Sequence, residues 1–113
     1  MQVTFPVFIL AKDDLSMDMV TEPKDLNWYE KPDINDGLYE GWDVNGYLLK
    51  ISWDKRLGPI VTVCNNEPQI EKLQEAIYDY AKRYNAQESF VYSGPSNDVV
   101  ALFKAVEAHV RKE

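Results

Sequence analysis

Hydrophobic and polar positions alternate along this chain in two periods, and the change of period divides it into strands and helices. Val, Phe and Ile dominate Val3 to Leu10 on both faces, which predicts a buried strand. Pro6 cannot donate to a ladder, so this strand lies at an edge or begins near the proline. Lys12-Asp13-Asp14 reads as a turn, after which Leu15, Met17 and Met19 alternate with Ser16 and Asp18 as a half-buried strand returning beside the first. From Leu38 to Trp53 two apolar-rich arms flank Asn45-Gly46, the strongest short-range hairpin signal in the chain. Two registers are open. A two-residue turn pairs Val44 with Tyr47 and Trp42 with Leu49, and leaves Glu40 as the one charge on an apolar face. A bulged turn, opened by Asp43 with Gly46 in the left-handed conformation, sets Asp43 opposite Tyr47, Trp42 opposite Leu48 and Glu40 opposite Lys50. The second avoids a carboxylate on a dry face and is preferred. Ile60 to Cys64 is a β-branched run, expected as a central strand.

The helical period appears in three places. Thr21-Glu22-Pro23 opens a short helix, with Thr21 as its cap, that runs to about Tyr29 and stops ahead of Pro32. A polar loop is expected over Glu30–Gly37. Pro68–Tyr84 carries Ile70, Leu73, Ile77, Tyr80 and Tyr84 on one stripe, with Asn66 as its cap. Gln87–Tyr92 fits a short strand or a packed loop. Ser96 or Asn97 then caps a last helix that buries Val99, Leu102, Phe103, Val106 and Val110. The order predicts a single α+β domain over residues 1–113. Its sheet is an antiparallel meander of about five strands, with two C-terminal helices packed on one face. A short helix after the second strand caps an end or an edge.

Composition narrows the function classes. At 113 residues and 45% hydrophobic content the chain can build a core without disulfide or metal staples. Cys64 is the only cysteine, which excludes an internal disulfide and fits a reducing, cytoplasmic compartment. No apolar run reaches the ~20 residues of a membrane helix, and Met1–Pro6 lacks the basic leader of a signal peptide. Twelve basic against 19 acidic residues leave a formal charge of −7. Nucleic acid is a poor partner for such a chain, whereas a basic protein is drawn to it.

No catalytic residue, metal site or cofactor is expected. Asp33-Ile34-Asn35-Asp36-Gly37 with Glu40 offers oxygen ligands, but the glycine and glutamate miss the calcium-loop spacing, and an Asx-type turn accounts for the segment. Cys64 precedes a helix start, yet His109 is the only histidine and lies on a distant helix, so Cys64 reads as a small buried strand residue. Ser93-Gly94-Pro95-Ser96 lacks the lysine and glycine spacing of a phosphate loop.

What remains is collective. Asp13, Asp14 and Asp18 come from the first hairpin, and Glu30, Asp33, Asp36, Glu40 and Asp43 from the loop and central ribbon. If the hairpins are neighbours, these acids share one end or edge. Trp28, Tyr29 and Tyr39 lie among them, and aromatics beside acids make a protein-binding surface. The expected partner-binding residues are therefore Asp13, Asp14, Asp18, Trp28, Tyr29, Asp33, Asp36, Tyr39 and Asp43.

Within Trp28–Leu49 the segments Tyr29-Glu30-Lys31-Pro32-Asp33-Ile34, Leu38-Tyr39-Glu40-Gly41-Trp42-Asp43-Val44-Asn45-Gly46 and Leu48-Leu49 resemble a pattern of small uncharacterised bacterial proteins. In these a Tyr-Glu-Pro-Asp stretch precedes an aromatic strand and an Asp-x-x-Gly turn; here the Pro-Asp spacing is shifted. The resemblance implies an immunity-protein-like role and carries no functional residues with it. Together with charge and size it favours a non-enzymatic acidic protein-binding module, an immunity-type inhibitor of a basic toxin or nuclease. The alternative is a small enzyme or small-molecule-binding domain with a pocket between sheet and helices, near Glu40.

Overall fold

Strand β1 (Val7–Ala11) starts directly after Pro6, at the first position where every backbone N–H is free to join a ladder. The computed structural model describes residues 2–64, 67–84, 94 and 98–110, with side chains as far as residue 108. β2 (Met17–Val20) returns antiparallel to β1 with Phe8 opposite Met19. A 3-10 helix (Pro23–Trp28) and a short helix α1 (Lys31–Asn35) follow, then β3 (Tyr39–Asp43), β4 (Leu48–Asp54), β5 (Gly58–Val63), α2 (Ile70–Tyr84) and α3 (Val99–Val110). The strands form one antiparallel sheet in the order β2-β1-β3-β4-β5. The chain is thus the expected α+β fold, its meander interrupted once where β2 leads past β1 to β3.

The alternation of side chains along β1 explains the layers. Phe8 points into a cluster with Met17, Trp42, Leu73, Ile77, Leu102, Phe103 and Val106, beneath α2 and α3. Phe8 and Phe103 meet edge-on at 5.4 Å. Val7 and Ile9 point the other way, into a second cluster with Val20, Leu26, Tyr29, Ile34, Leu49 and Ile51. The short helical segments between β2 and β3 therefore cover the opposite face of the sheet rather than an end or an edge. A strand with apolar residues on both faces demands two covers.

Four expectations need correction. Ile60 to Cys64 does not lie centrally: β5 is an edge strand pairing with β4 alone. Val61 and Val63 reach the second cluster while Thr62 faces solvent, so one face suffices for its apolar residues. Cys64 is exposed rather than buried. Glu30–Gly37 is not all loop, because Pro32 stands in the first turn of α1, where a missing N–H costs nothing. Thr21 is not the cap of the 3-10 helix; Glu22 takes that position, without a side-chain cap bond. At α3 the capping bond comes from Asp98, whose Oδ1 accepts the Ala101 N–H at 3.1 Å. Asn66, Gln87–Tyr92, Ser96, Asn97 and the side chains of His109 and Val110 lie outside the described residues.

The central hairpin adopts the bulged register, with Trp42 opposite Leu48. Asp43 N–H donates to Tyr47 O at 3.0 Å, Gly46 N–H to Asp43 O at 2.9 Å, and Gly46 has φ +91°. This tip docks on the start of α2, where Gln69 N–H donates to Gly46 O at 2.7 Å. A Cβ on Gly46 would stand 2.8 Å from Ile70 N and 2.9 Å from its Cα. Gly46→Ala combines left-handed strain with that clash and is expected to cost about 2 kcal/mol. A denaturant midpoint within error of the parent would contradict this.

Candidate functional site

The two hairpins and the segment between them enclose an open groove of about 810 Å³. The β1–β2 turn contributes Asp13 and Asp14, and β2 contributes Asp18. Asp25, Trp28 and Tyr29 come from the 3-10 helix and its C-cap, Asp33 from α1 and Tyr39 from β3. Five carboxylates thus share one concavity with three aromatic residues, and among the described residues no lysine or arginine lines it. The local folding reasons are ordinary ones. Asp13 Oδ1 accepts the Asp14 N–H at 2.8 Å, and Asp14 Oδ1 accepts both the N–H and the hydroxyl of Ser16 at 3.0 and 2.7 Å. The acids that shape this turn therefore also charge the groove. The Tyr84 hydroxyl donates to Asp14 O at 2.7 Å and ties the turn to the end of α2.

The aromatic residues split into wall and rim. Tyr29 is buried, meets Tyr39 edge-on at 4.8 Å, and donates its hydroxyl to Asp18 Oδ2 at 3.3 Å. Trp28, its neighbour in sequence, is 85% exposed. An indole this exposed gains little for the folded chain and offers apolar area to a partner.

The electrostatics follow from the crowding of acids. Burial, and then the negative charge and hydrogen bond of Asp18, push the Tyr29 phenol well above its ordinary value of 10.0. Burial, followed by the Asp33, Asp13, Glu30 and Asp18 carboxylates, raises Tyr39 as well. Both phenols stay neutral donors where an ordinary tyrosine begins to ionise. The backbone and hydroxyl of Ser16, with a smaller contribution from Arg83, hold Asp14 below the ordinary 3.8. Asp14 is thus a charge that persists into mild acid.

A raised folded-state value for Tyr29 means that its contribution is complete below pH 10 and erodes as the pH climbs above it, where the unfolded chain ionises first. Tyr29→Phe should cost about 1 kcal/mol at neutral pH, for the lost bond to Asp18. The same change should flatten the alkaline loss of stability. Parallel unfolding curves for parent and variant from pH 9 to 11.5 would refute the assignment.

Seven of the nine expected partner-binding residues meet here: Asp13, Asp14, Asp18, Trp28, Tyr29, Asp33 and Tyr39. Asp36 does not line the groove; it is the C-cap of α1, its N–H donating to Pro32 O at 3.0 Å. Asp43 is a correction, since it is fully buried and cannot meet a partner. Its Oδ1 accepts the Asn45 and Tyr47 N–H groups, both at 3.0 Å, and its Oδ2 the Thr4 N–H at 3.3 Å. A buried carboxylate with three backbone donors is a structural pin. Asp25 was missing from the expected set, although its place three residues before Trp28 in a helical segment puts the two on one side.

A second, smaller cleft of about 260 Å³ lies between the sheet and α2. Leu10, Glu40 and Trp42 come from the sheet and Leu15 from the first turn. Lys72, Glu75, Ala76 and Asp79 come from α2, spaced at i, i+3, i+4 and i+7 so that one helix face lines the cleft. Among the described residues there is no group of three His, Cys, Asp or Glu side chains placed to hold a metal ion. No helix among them is long and apolar enough to cross a membrane. Comparison with family models, with curated proteins and with solved structures gives no match for this chain.

Proposed function

We propose that this chain is a non-enzymatic acidic protein-binding module whose groove between the first hairpin and the 3-10 helix takes a basic protein partner. The observation that carries the reading is the convergence of Asp13, Asp14, Asp18, Asp25 and Asp33 on one open groove that no lysine or arginine lines among the described residues. Like charges gathered in a concavity repel one another, and a lysine- or arginine-rich segment relieves that repulsion as it binds. Trp28, mostly exposed at the rim, supplies an apolar anchor of the kind that dominates interface energies. The net charge of −7 extends the same field beyond the groove and speeds encounter with a cationic protein.

The most specific form of this reading is an immunity-type inhibitor that blocks a basic toxin or nuclease in the cytoplasm. It rests on the charge, the size and the sequence pattern around Trp28–Leu49. Nucleic acid is disfavoured as a ligand, because the groove carries the wrong sign for phosphate.

The test is a tagged pull-down from a lysate of the source cell, washed first at low and then at high salt. One basic protein retained at low salt and released at high salt supports the groove as a charged interface. Retention that is indifferent to salt, or to replacing Trp28 by alanine, argues against it.

A further inference from the structure

Strand β5 ends the sheet on one side and turns outward a row of backbone groups that the fold does not use. One bond identifies them. Cys64 N–H donates to Leu48 O at 2.8 Å, so in this antiparallel ladder Thr62 and Ile60 also turn their N–H and C=O groups toward β4. Pro59, Val61 and Val63 therefore turn theirs away, and Pro59 lacks its N–H where the ladder needs none. Among the described residues nothing bonds the outward N–H and C=O groups of Val61 and Val63. Both residues are half-buried, and Thr62 between them is exposed. The opposite edge is guarded, since β2 has only four residues and carries Asp18. β5 has six residues, no charged side chain and a β-branched run from Ile60 to Val63. In a chain of formal charge −7, an uncharged edge is where two copies meet with least repulsion.

We propose that β5 pairs antiparallel with β5 of a second copy, about a two-fold axis through Thr62, and joins two five-stranded sheets edge to edge. In this register Val61 of each copy lies opposite Val63 of the other, and every outward N–H of these residues finds a C=O. An axis through Val61 would set Pro59 against Val63 and leave the Val63 C=O without a donor, which selects Thr62. Val61 and Val63 already pack on the cluster of Leu49 and Ile51, and the pairing extends it across the axis. The flanking charges agree. Lys55-Arg56 precedes β5 and Glu67 follows it, so the antiparallel approach sets the basic turn of each copy toward the acidic end of the other. No residue of β5 lines the acidic groove, so the inference stands apart from the protein-binding reading.

Sedimentation of the full chain from about 5 to 500 µM covers micromolar to near-millimolar dissociation constants. The parent should pass from monomer to dimer across that range. Thr62→Lys, at an exposed position, sets two ammonium groups face to face and should weaken the dimer at least about tenfold. Val63→Pro removes an outward N–H, spares the bonds to β4, and should weaken it likewise. In a Cys64→Ser background, Thr62→Cys puts two thiols on Cα atoms about 4.5 Å apart, within disulfide reach. Mild oxidation should give a covalent dimer there, and none for Lys50→Cys on the neighbouring strand. Thr62→Cys keeps the test open should the other two variants fail to fold.

A monomer at every concentration overturns the proposal, whether the edge is then free or taken by a strand of another protein. So does a dimer that Thr62→Lys and Val63→Pro leave intact, or one that Thr62→Cys fails to cross-link, since its interface lies elsewhere.

Discussion

Asp43→Ala is expected to lower the stability of the domain by about 3 kcal/mol, because it strands backbone donors that a charged acceptor now satisfies. The Asn45, Tyr47 and Thr4 N–H groups all converge on this carboxylate, and the residue itself is entirely buried. Asn45 is exposed and can turn its N–H to water, which is why the expected cost is below three full bonds. The damage is not confined to the turn. The bulged loop presents Gly46 O to the start of α2, and the Thr4 bond holds the segment that leads into β1. Urea unfolding should show a lower midpoint with an unchanged slope. Asp43→Asn keeps an oxygen where Oδ1 now accepts two bonds and should fall between parent and alanine variant. A loss below about 1 kcal/mol for the alanine variant would place this aspartate among ordinary surface acids.

The second large effect is on binding. Replacing Asp13, Asp18 and Asp33 together by asparagine removes three of the groove's five carboxylates while preserving size and hydrogen-bonding oxygens. Affinity for the basic partner should drop about a hundredfold at low salt, chiefly through slower association and weaker charge pairing. The unfolding midpoint should hold or rise slightly, since mutual repulsion is relieved. The triple variant and the parent should converge in affinity as salt is raised. Equal affinity at low salt would sink the acidic-groove reading, and a collapse of stability would show the acids to be structural instead.

These two predictions divide a set of residues that looks uniform in the sequence. In the sequence Asp43 fits two descriptions at once, the opener of a bulged turn and a surface acid. The two are incompatible, because a carboxylate that bonds the N–H groups of its own turn is spent on the fold. The turn reading is local chemistry and was legible from Asp43-Val44-Asn45-Gly46 alone. So was the stripe of α2, where Leu73, Ile77 and Tyr80 are indeed buried. Less legible was everything set by non-local packing. The β-branched run of β5 could not announce that it pairs on one side only, because β-propensity reports a half-buried surface and not a place in the sheet order. Pro32 reads in the sequence as the stop for the preceding helix, and in the structure it stands at the start of the next one. The groove was legible only as a list of acids and aromatics. Its concavity depends on β2 and β3 flanking β1, which no pair of neighbouring residues encodes.

The two apolar clusters on opposite faces of the sheet have a dynamic consequence. They share no buried residue, and five strands of backbone separate them. Each is therefore expected to act as a cooperative unit, opening while the other stays closed. The layer of α2 and α3 rests on Phe8, Met17 and Trp42, whereas the acidic groove draws Tyr29 and Tyr39 from the opposite face. Native-state hydrogen exchange should therefore resolve two free energies of opening, with the amides of α2 and α3 sharing one value. A cavity cut at Phe103 should lower that value and leave the protection of the Leu49 and Ile51 amides set by global unfolding. The Tyr29–Tyr39 wall of the groove would then keep its shape through excursions that undo the helical layer, whereas the Asp13-Asp14 turn, tied to α2 through Tyr84, would loosen with that layer.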